Sequence, residues 1–78
     1  MLSVPVAKRV IYNYEVAYWH EPVRVADCRQ LPHGAVYCEV AVTESKNTTL
    51  YLRDVVKPIE DGIRIVPGKT AMEVTVLE

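Results

Sequence analysis

Val10-Ile11-Tyr12-Asn13-Tyr14-Glu15-Val16-Ala17-Tyr18-Trp19 alternates with a period of two: Val10, Tyr12, Tyr14, Val16 and Tyr18 fall on one side of an extended chain, and Ile11, Asn13, Glu15, Ala17 and Trp19 on the other. The alternation predicts a long strand with three tyrosines turned inward. His20-Glu21-Pro22 ends it, because Pro22 lacks the N–H that a central ladder position would donate. Valine occurs fourteen times and leucine five, and stiffness at χ1 favours β-branched residues on a pleated strand.

Working outward, a second strand is expected from Val23 to Arg29 and a third from Ala35 to Thr43, joined through Leu31-Pro32-His33-Gly34 as a hairpin. Pairing Val25 with Val40 sets Val23 against Val42 on one face and leaves Arg24, Ala26 and Cys28 on the other. The competing register brings Cys28 opposite Cys38, but sets Asp27 against Glu39 and Arg24 against Val42. The apolar pairing is expected to win, with no disulfide within the chain.

Glu44-Ser45-Lys46-Asn47 then reads as a turn into a strand from Thr48 to Arg53, in which Leu50 and Leu52 alternate with Thr49 and Tyr51. Pro58 predicts that Asp54 to Asp61 is an irregular crossing or a single 3₁₀ turn ending at Gly62. Ile63 and Ile65 alternate with Arg64, Val66-Pro67-Gly68-Lys69 has the Pro-Gly order of a type II turn, and Met72, Val74 and Val76 form the last strand. The expectation is an all-β fold: a single domain over residues 1–78, an antiparallel meander closing into a five- or six-stranded SH3-like or OB-like barrel.

Length and composition bound the function. Seventy-eight residues supply one core, and a core of that size is often reinforced by a disulfide, a metal or a partner subunit. A net charge of −1 is too small for a strongly electrostatic nucleic-acid binder or an acidic DNA mimic. No apolar run approaches the ~18 residues that cross a bilayer. Met1 to Ala7 is too short for a secretory h-region, and Lys8 and Arg9 follow it instead of preceding it, so cytoplasmic residence is expected, in the host cytoplasm if the protein is viral. Asn47-Thr48-Thr49 matches a glycosylation sequon and reads as a turn.

The residues that could carry chemistry are sparse. Cys28 and Cys38 lack Cys-x-x-Cys spacing, and His20 and His33 are the only additional soft ligands, so neither a metal nor another cofactor is expected. Cys38 reads as a small inert core hydrophobe; Cys28, on the outer face beside Arg29, is a weak candidate for a nucleophile. His20 and His33 read as solvated turn residues, and Asp54, Glu60 and Asp61 as loop charges rather than an acid–base pair. Phosphate-loop, nucleophile-elbow and zinc-protease motifs are absent from the sequence, and no enzymatic activity is expected.

Trp19, Tyr37 and Tyr51 fall on outward faces, and with Arg24 and Arg53 they form the candidate protein-binding set, since Trp, Tyr and Arg dominate interface hot spots. In size, Val and Tyr content and lack of a catalytic signature the chain resembles the small inhibitors that bacteriophages encode against host enzymes, anti-CRISPR proteins among them. The resemblance implies a non-enzymatic module that blocks a larger protein partner. Two alternatives stand beside it. The outward rings with Lys8, Arg9, Arg24, Arg53 and Arg64 suit single-stranded nucleic acid, although interspersed acids weaken that field. A structural subunit of a larger assembly, such as a virion, or a homodimer through an edge strand, would enlarge the small core.

Overall fold

A computed structural model describes residues 2–68 and 70–75, the last six as backbone alone. It opens with a helix, α1 (Val4–Trp19), where a strand was expected, and continues with β1 (Val23–Gln30), a 3₁₀ turn (Pro32–Gly34), β2 (Val36–Ser45), β3 (Thr48–Ile59), β4 (Gly62–Val66) and β5 (Thr70–Thr75). Met72 and Val74 lie on β5; Lys69 and Val76 fall outside the described residues.

The helix corrects the first expectation, and its ends explain it. Ser3 caps the N-terminus, its hydroxyl accepting from the Val6 N–H at 3.3 Å, and Pro5 sits in the first turn, where its missing N–H costs nothing. At the other end His20 takes left-handed geometry, φ 57°, and its N–H closes on the Val16 carbonyl. Between the caps, Ala7, Ile11 and Glu15 recur every four residues and form the buried stripe. Tyr12, Tyr14 and Tyr18, expected inside, are exposed. The stretch is apolar at so many positions that periods of two and of 3.6 both fit it.

The sheet is antiparallel, in the order β1-β2-β3-β4, with β5 also paired to β3. It is open: the ladder runs from β1 to β4 without closing on itself, and α1 covers one face by packing mainly on β1. Val23↔Val42 and Val25↔Val40 pair as expected. Val36, Cys38, Val40, Val42, Leu50, Leu52 and Val56 line the covered face and meet Leu2, Ala7 and Ile11 from the N-terminal segment.

Three further expectations are corrected. The segment from Asp54 is not an irregular crossing: β3 runs through it to Ile59, Pro58 pairs with Ile63, and only Glu60 and Asp61 turn into β4. Asp54 itself is buried rather than a solvated loop charge. Cys28 is bonded to Cys38. Register explains the bridge. β1 and β2 pair in the apolar register up to Ala26↔Glu39 and shift by one residue at Arg29↔Tyr37, so Asp27 and Cys28 together face Cys38. Asp27 takes the left-handed conformation that such a bulge uses, φ 51°. The two registers that looked mutually exclusive coexist, one on each side of the bulge.

β4 and β5 lie end to end along the same edge of β3. Val66 pairs with Val55 and Thr70 with Leu52, and the Pro67–Gly68 break between them sits against Arg53 and Asp54. Gly68 lies so close to the Arg53 carbonyl that a Cβ there would overlap it.

Candidate functional site

Because α1 takes one face of the sheet, the described residues leave the other uncovered, and strand register fixes what it carries. Arg24, Ala41 and Tyr51 lie abreast across β1, β2 and β3; Ala26, Glu39 and Arg53 form the next row; Arg29, Tyr37 and Val55 the third, which extends to Val66 on β4. Lys57 and Arg64 follow as a cross-strand pair beyond it. Four of the five residues expected to bind a partner, Arg24, Tyr37, Tyr51 and Arg53, are thus gathered on one face. Tyr37 and Tyr51 stand four strand positions apart, roughly 13 Å along the sheet.

Electrostatics on this face departs from the near-neutral whole. Arg24, Arg29, Arg53, Lys57 and Arg64 occupy its paired positions, where Glu39 is the one carboxylate among the described side chains. Of the other described acids, Glu15 and Asp54 are buried on the helix side, Asp27 is exposed in the β1 bulge, Glu21 lies in the connection before β1, Glu44 stands near the end of β2, and Glu60 and Asp61 form the β3–β4 turn. Tyr37 donates to Glu39 Oε1 at 3.1 Å. Lost hydration and that hydrogen bond raise the Tyr37 hydroxyl above its ordinary range, while Arg53 and Arg29 pull it the other way.

Two concavities end the face. One, about 350 Å³, is lined by Pro22, Val23, Arg24, Ala41, Thr43, Thr49 and Tyr51. The other, about 340 Å³, lies where the 3₁₀ turn folds towards β3, between Leu31, Pro32, His33 and Ala35 on one side and Val55, Lys57 and Pro58 on the other. Gly34 permits this approach: its φ is +78°, and a Cβ would stand 3.3 Å from the Pro58 ring. A groove between α1 and the β1 edge adds Lys8, Arg9 and Tyr12 beside Arg24, so basic residues continue around that edge.

Trp19, the fifth expected residue, is not on this face. It is partly buried against the core on the helix side, its indole donating to Glu15 Oε1 at 2.9 Å and its ring meeting Tyr18 edge-on at 5.0 Å. Glu15 itself belongs to the buried stripe of α1 and lies beside Asp54, whose Oδ1 accepts the Gly68 N–H at 3.0 Å. Burial first, and the neighbouring Asp54 carboxylate second, push Glu15 up to about 8, while the Trp19 hydrogen bond acts in the opposite sense. Sequence reasoning assigned Glu15 to a strand and Asp54 to a loop, so nothing brought them together. The helical spacing from Ala7 through Ile11 to Glu15 was the signal that places this carboxyl inside.

Among the described residues no three His, Cys, Asp or Glu side chains gather as a metal-binding set, and no helix is long and apolar enough to cross a membrane. No protein-family model, curated protein or solved structure matches the chain.

Proposed function

We propose that the chain is a non-enzymatic binding module whose ligand surface is the open face of the sheet, and that its partner is a protein presenting an acidic surface. The observation that carries this reading is the segregation of charge: the cations of β1, β3 and β4 flank Tyr37 and Tyr51 on a face whose paired rows hold one carboxylate among the described side chains. Rings and guanidinium groups interleaved on a rigid sheet give large contact area at low entropic cost. A stoichiometric complex that blocks the partner is the simplest action of such a surface.

A photocrosslinking residue in place of Tyr51, incorporated in the native host, tests the reading. A protein adduct is expected at Tyr51, lost on Arg24→Glu with Arg53→Glu, and not formed from Tyr12 on the helix. Adducts from Tyr12 alone would remove the open face as the partner surface.

The same face supports a second reading, single-stranded nucleic acid stacked on Tyr37 and Tyr51 with phosphates on the arginines, because one acid, Glu39, stands among the cations in its paired rows. Its signature is affinity for a thymidine oligonucleotide that falls steeply between about 50 and 200 mM salt. Self-association through a sheet edge is less well supported. Asp27 breaks the β1 edge with a bulge and Pro67–Gly68 breaks the opposite one, two devices that blunt strand pairing. The Cys28–Cys38 bridge bears on residence as well: it persists in an oxidising compartment, whereas cytoplasmic residence goes with the dithiol form.

A further inference from the structure

On the helix side of the sheet, Glu15 and Asp54 are 2% and 0% exposed, and each keeps one oxygen, Oε2 and Oδ2, buried without a hydrogen-bond partner among the described residues. Two ionised carboxylates held together away from water repel strongly, so the pair calls for one positive charge between them. In the ligand-free protein a proton on Glu15 supplies it.

The surroundings of Glu15 suit a different cation. Tyr14, Tyr18 and Trp19 line a cleft of about 410 Å³ together with Glu15, and Leu52, Pro67 and Gly68 form its opposite wall. Aromatic faces carry negative potential, and rings beside a carboxylate complement an organic cation whose charge is spread over alkyl groups. A divalent metal fits poorly, since it takes six or more oxygens or a compact ligand set, and the described residues offer the two carboxylates with apolar walls. An anion is repelled by the acids. Tyr18 is 66% exposed, so its ring has room to swing away and admit a ligand.

We propose that this cleft binds an alkylammonium group, with the Glu15 carboxylate as counter-ion and Tyr14, Tyr18 and Trp19 as the surrounding rings. The ligand replaces the shared proton, so the Glu15–Asp54 pair holds one positive charge in either state. The site is separate from the open face and does not depend on the partner proposed there.

Tetramethylammonium chloride is a clean probe because it does not itself titrate. The groups facing Glu15 are Asp54 from β3, the Trp19 indole and the Tyr14 and Tyr18 hydroxyls on α1, and the Gly68 N–H of the β4–β5 break. Binding requires ionised Glu15, so affinity rises with pH through about 8 and is roughly tenfold tighter at pH 9 than at pH 7. The readout is the Trp19 indole N–H resonance during titration, corrected with equal sodium chloride. A saturable shift in the wild type, lost in Glu15→Gln and weakened severalfold in Tyr18→Ala, is the expected result. Tyr18 is largely exposed, so its replacement tests the ring without threatening the core.

The titration is repeated in Lys69→Gln, where the residue after Gly68 in sequence cannot supply the ammonium itself; the response is expected to persist. A peptide carrying trimethyl-lysine, run beside the free ion, separates the sources: tighter binding of the peptide identifies a polypeptide ligand, equal binding a small amine. No shift beyond the sodium chloride control, an equal shift in Glu15→Gln, or loss of the response in Lys69→Gln would overturn the assignment.

Discussion

Cys28 and Cys38 are bonded with their Cα atoms 4.0 Å apart because Asp27 occupies a position on β1 that has no partner of its own on β2. The bulge thus converts a hairpin selected by its valines into one that is also closed covalently. Closing a loop of this length contributes about 3 kcal/mol through the entropy of the unfolded chain. Replacing both cysteines by serine is expected to lower stability by about that amount in urea denaturation, and reduction of the native protein to do the same. Equal midpoints before and after reduction would contradict the pairing.

Asp27 is the hinge of that arrangement. A β-branched side chain is strained at positive φ, whereas aspartate and glycine tolerate it. Asp27→Val should therefore cost about 1–2 kcal/mol, and Asp27→Gly should be nearly neutral, by the same denaturation assay.

Glu15 gives the fold a pH dependence of definite sign. Its folded value, about 8, lies above the ordinary glutamate value of 4.5, so between the two the native state holds a proton that the unfolded state releases. The stabilisation is complete below about 4.5, declines as pH rises through that window, and is gone above about 8. Glu15→Gln mimics the protonated carboxyl. The difference in melting temperature between the variant and the wild type should therefore widen in favour of the variant from pH 5 to pH 9. A difference that stays constant over that range would show that Glu15 does not titrate high.

Gly68 is required by contact rather than by a turn. Any Cβ there meets the Arg53 backbone carbonyl, in the segment where the Gly68 N–H also donates to Asp54 Oδ1. Gly68→Ala is expected to cost about 3 kcal/mol, at the upper end of overpacking effects, and to expose the amides of Arg53 and Asp54 to hydrogen exchange. Unchanged protection of those amides would argue against the close approach.

The parts of this structure that sequence disclosed are those decided by local alternation. Val23, Val25, Val40 and Val42 pair as their periodicity demands, and Leu50 and Leu52 face inward beside them. The part it concealed is α1, where apolar residues at adjacent positions satisfy a helix and a strand alike, and where Ser3 and Pro5 at one end and the His20 cap at the other settle the matter. Once that segment is helical, one face of the sheet is covered and the other is left open, which turns an expected closed barrel into an open platform. The candidate binding residues follow their elements: Arg24, Tyr37, Tyr51 and Arg53 come together on the strands, and Trp19 goes with the helix. The disulfide is not legible in sequence because its register and the apolar one exclude each other in a regular hairpin, and one bulge accommodates both.

Charge on the open face should govern affinity more than stability. Reversing Arg24 and Arg53 together is expected to weaken binding of the captured partner at least tenfold, with most of the loss appearing at low salt, while the melting temperature changes little. Wild-type affinity in that double variant would point to another surface.

The most direct test is amide chemical-shift mapping of the labelled protein in complex with the partner captured through Tyr51. The account predicts that the largest changes fall on the rows through Arg24, Tyr51, Arg53 and Tyr37, with α1 little affected. Changes concentrated on Tyr12, Tyr14 and Tyr18 of the helix, with those rows silent, would contradict it.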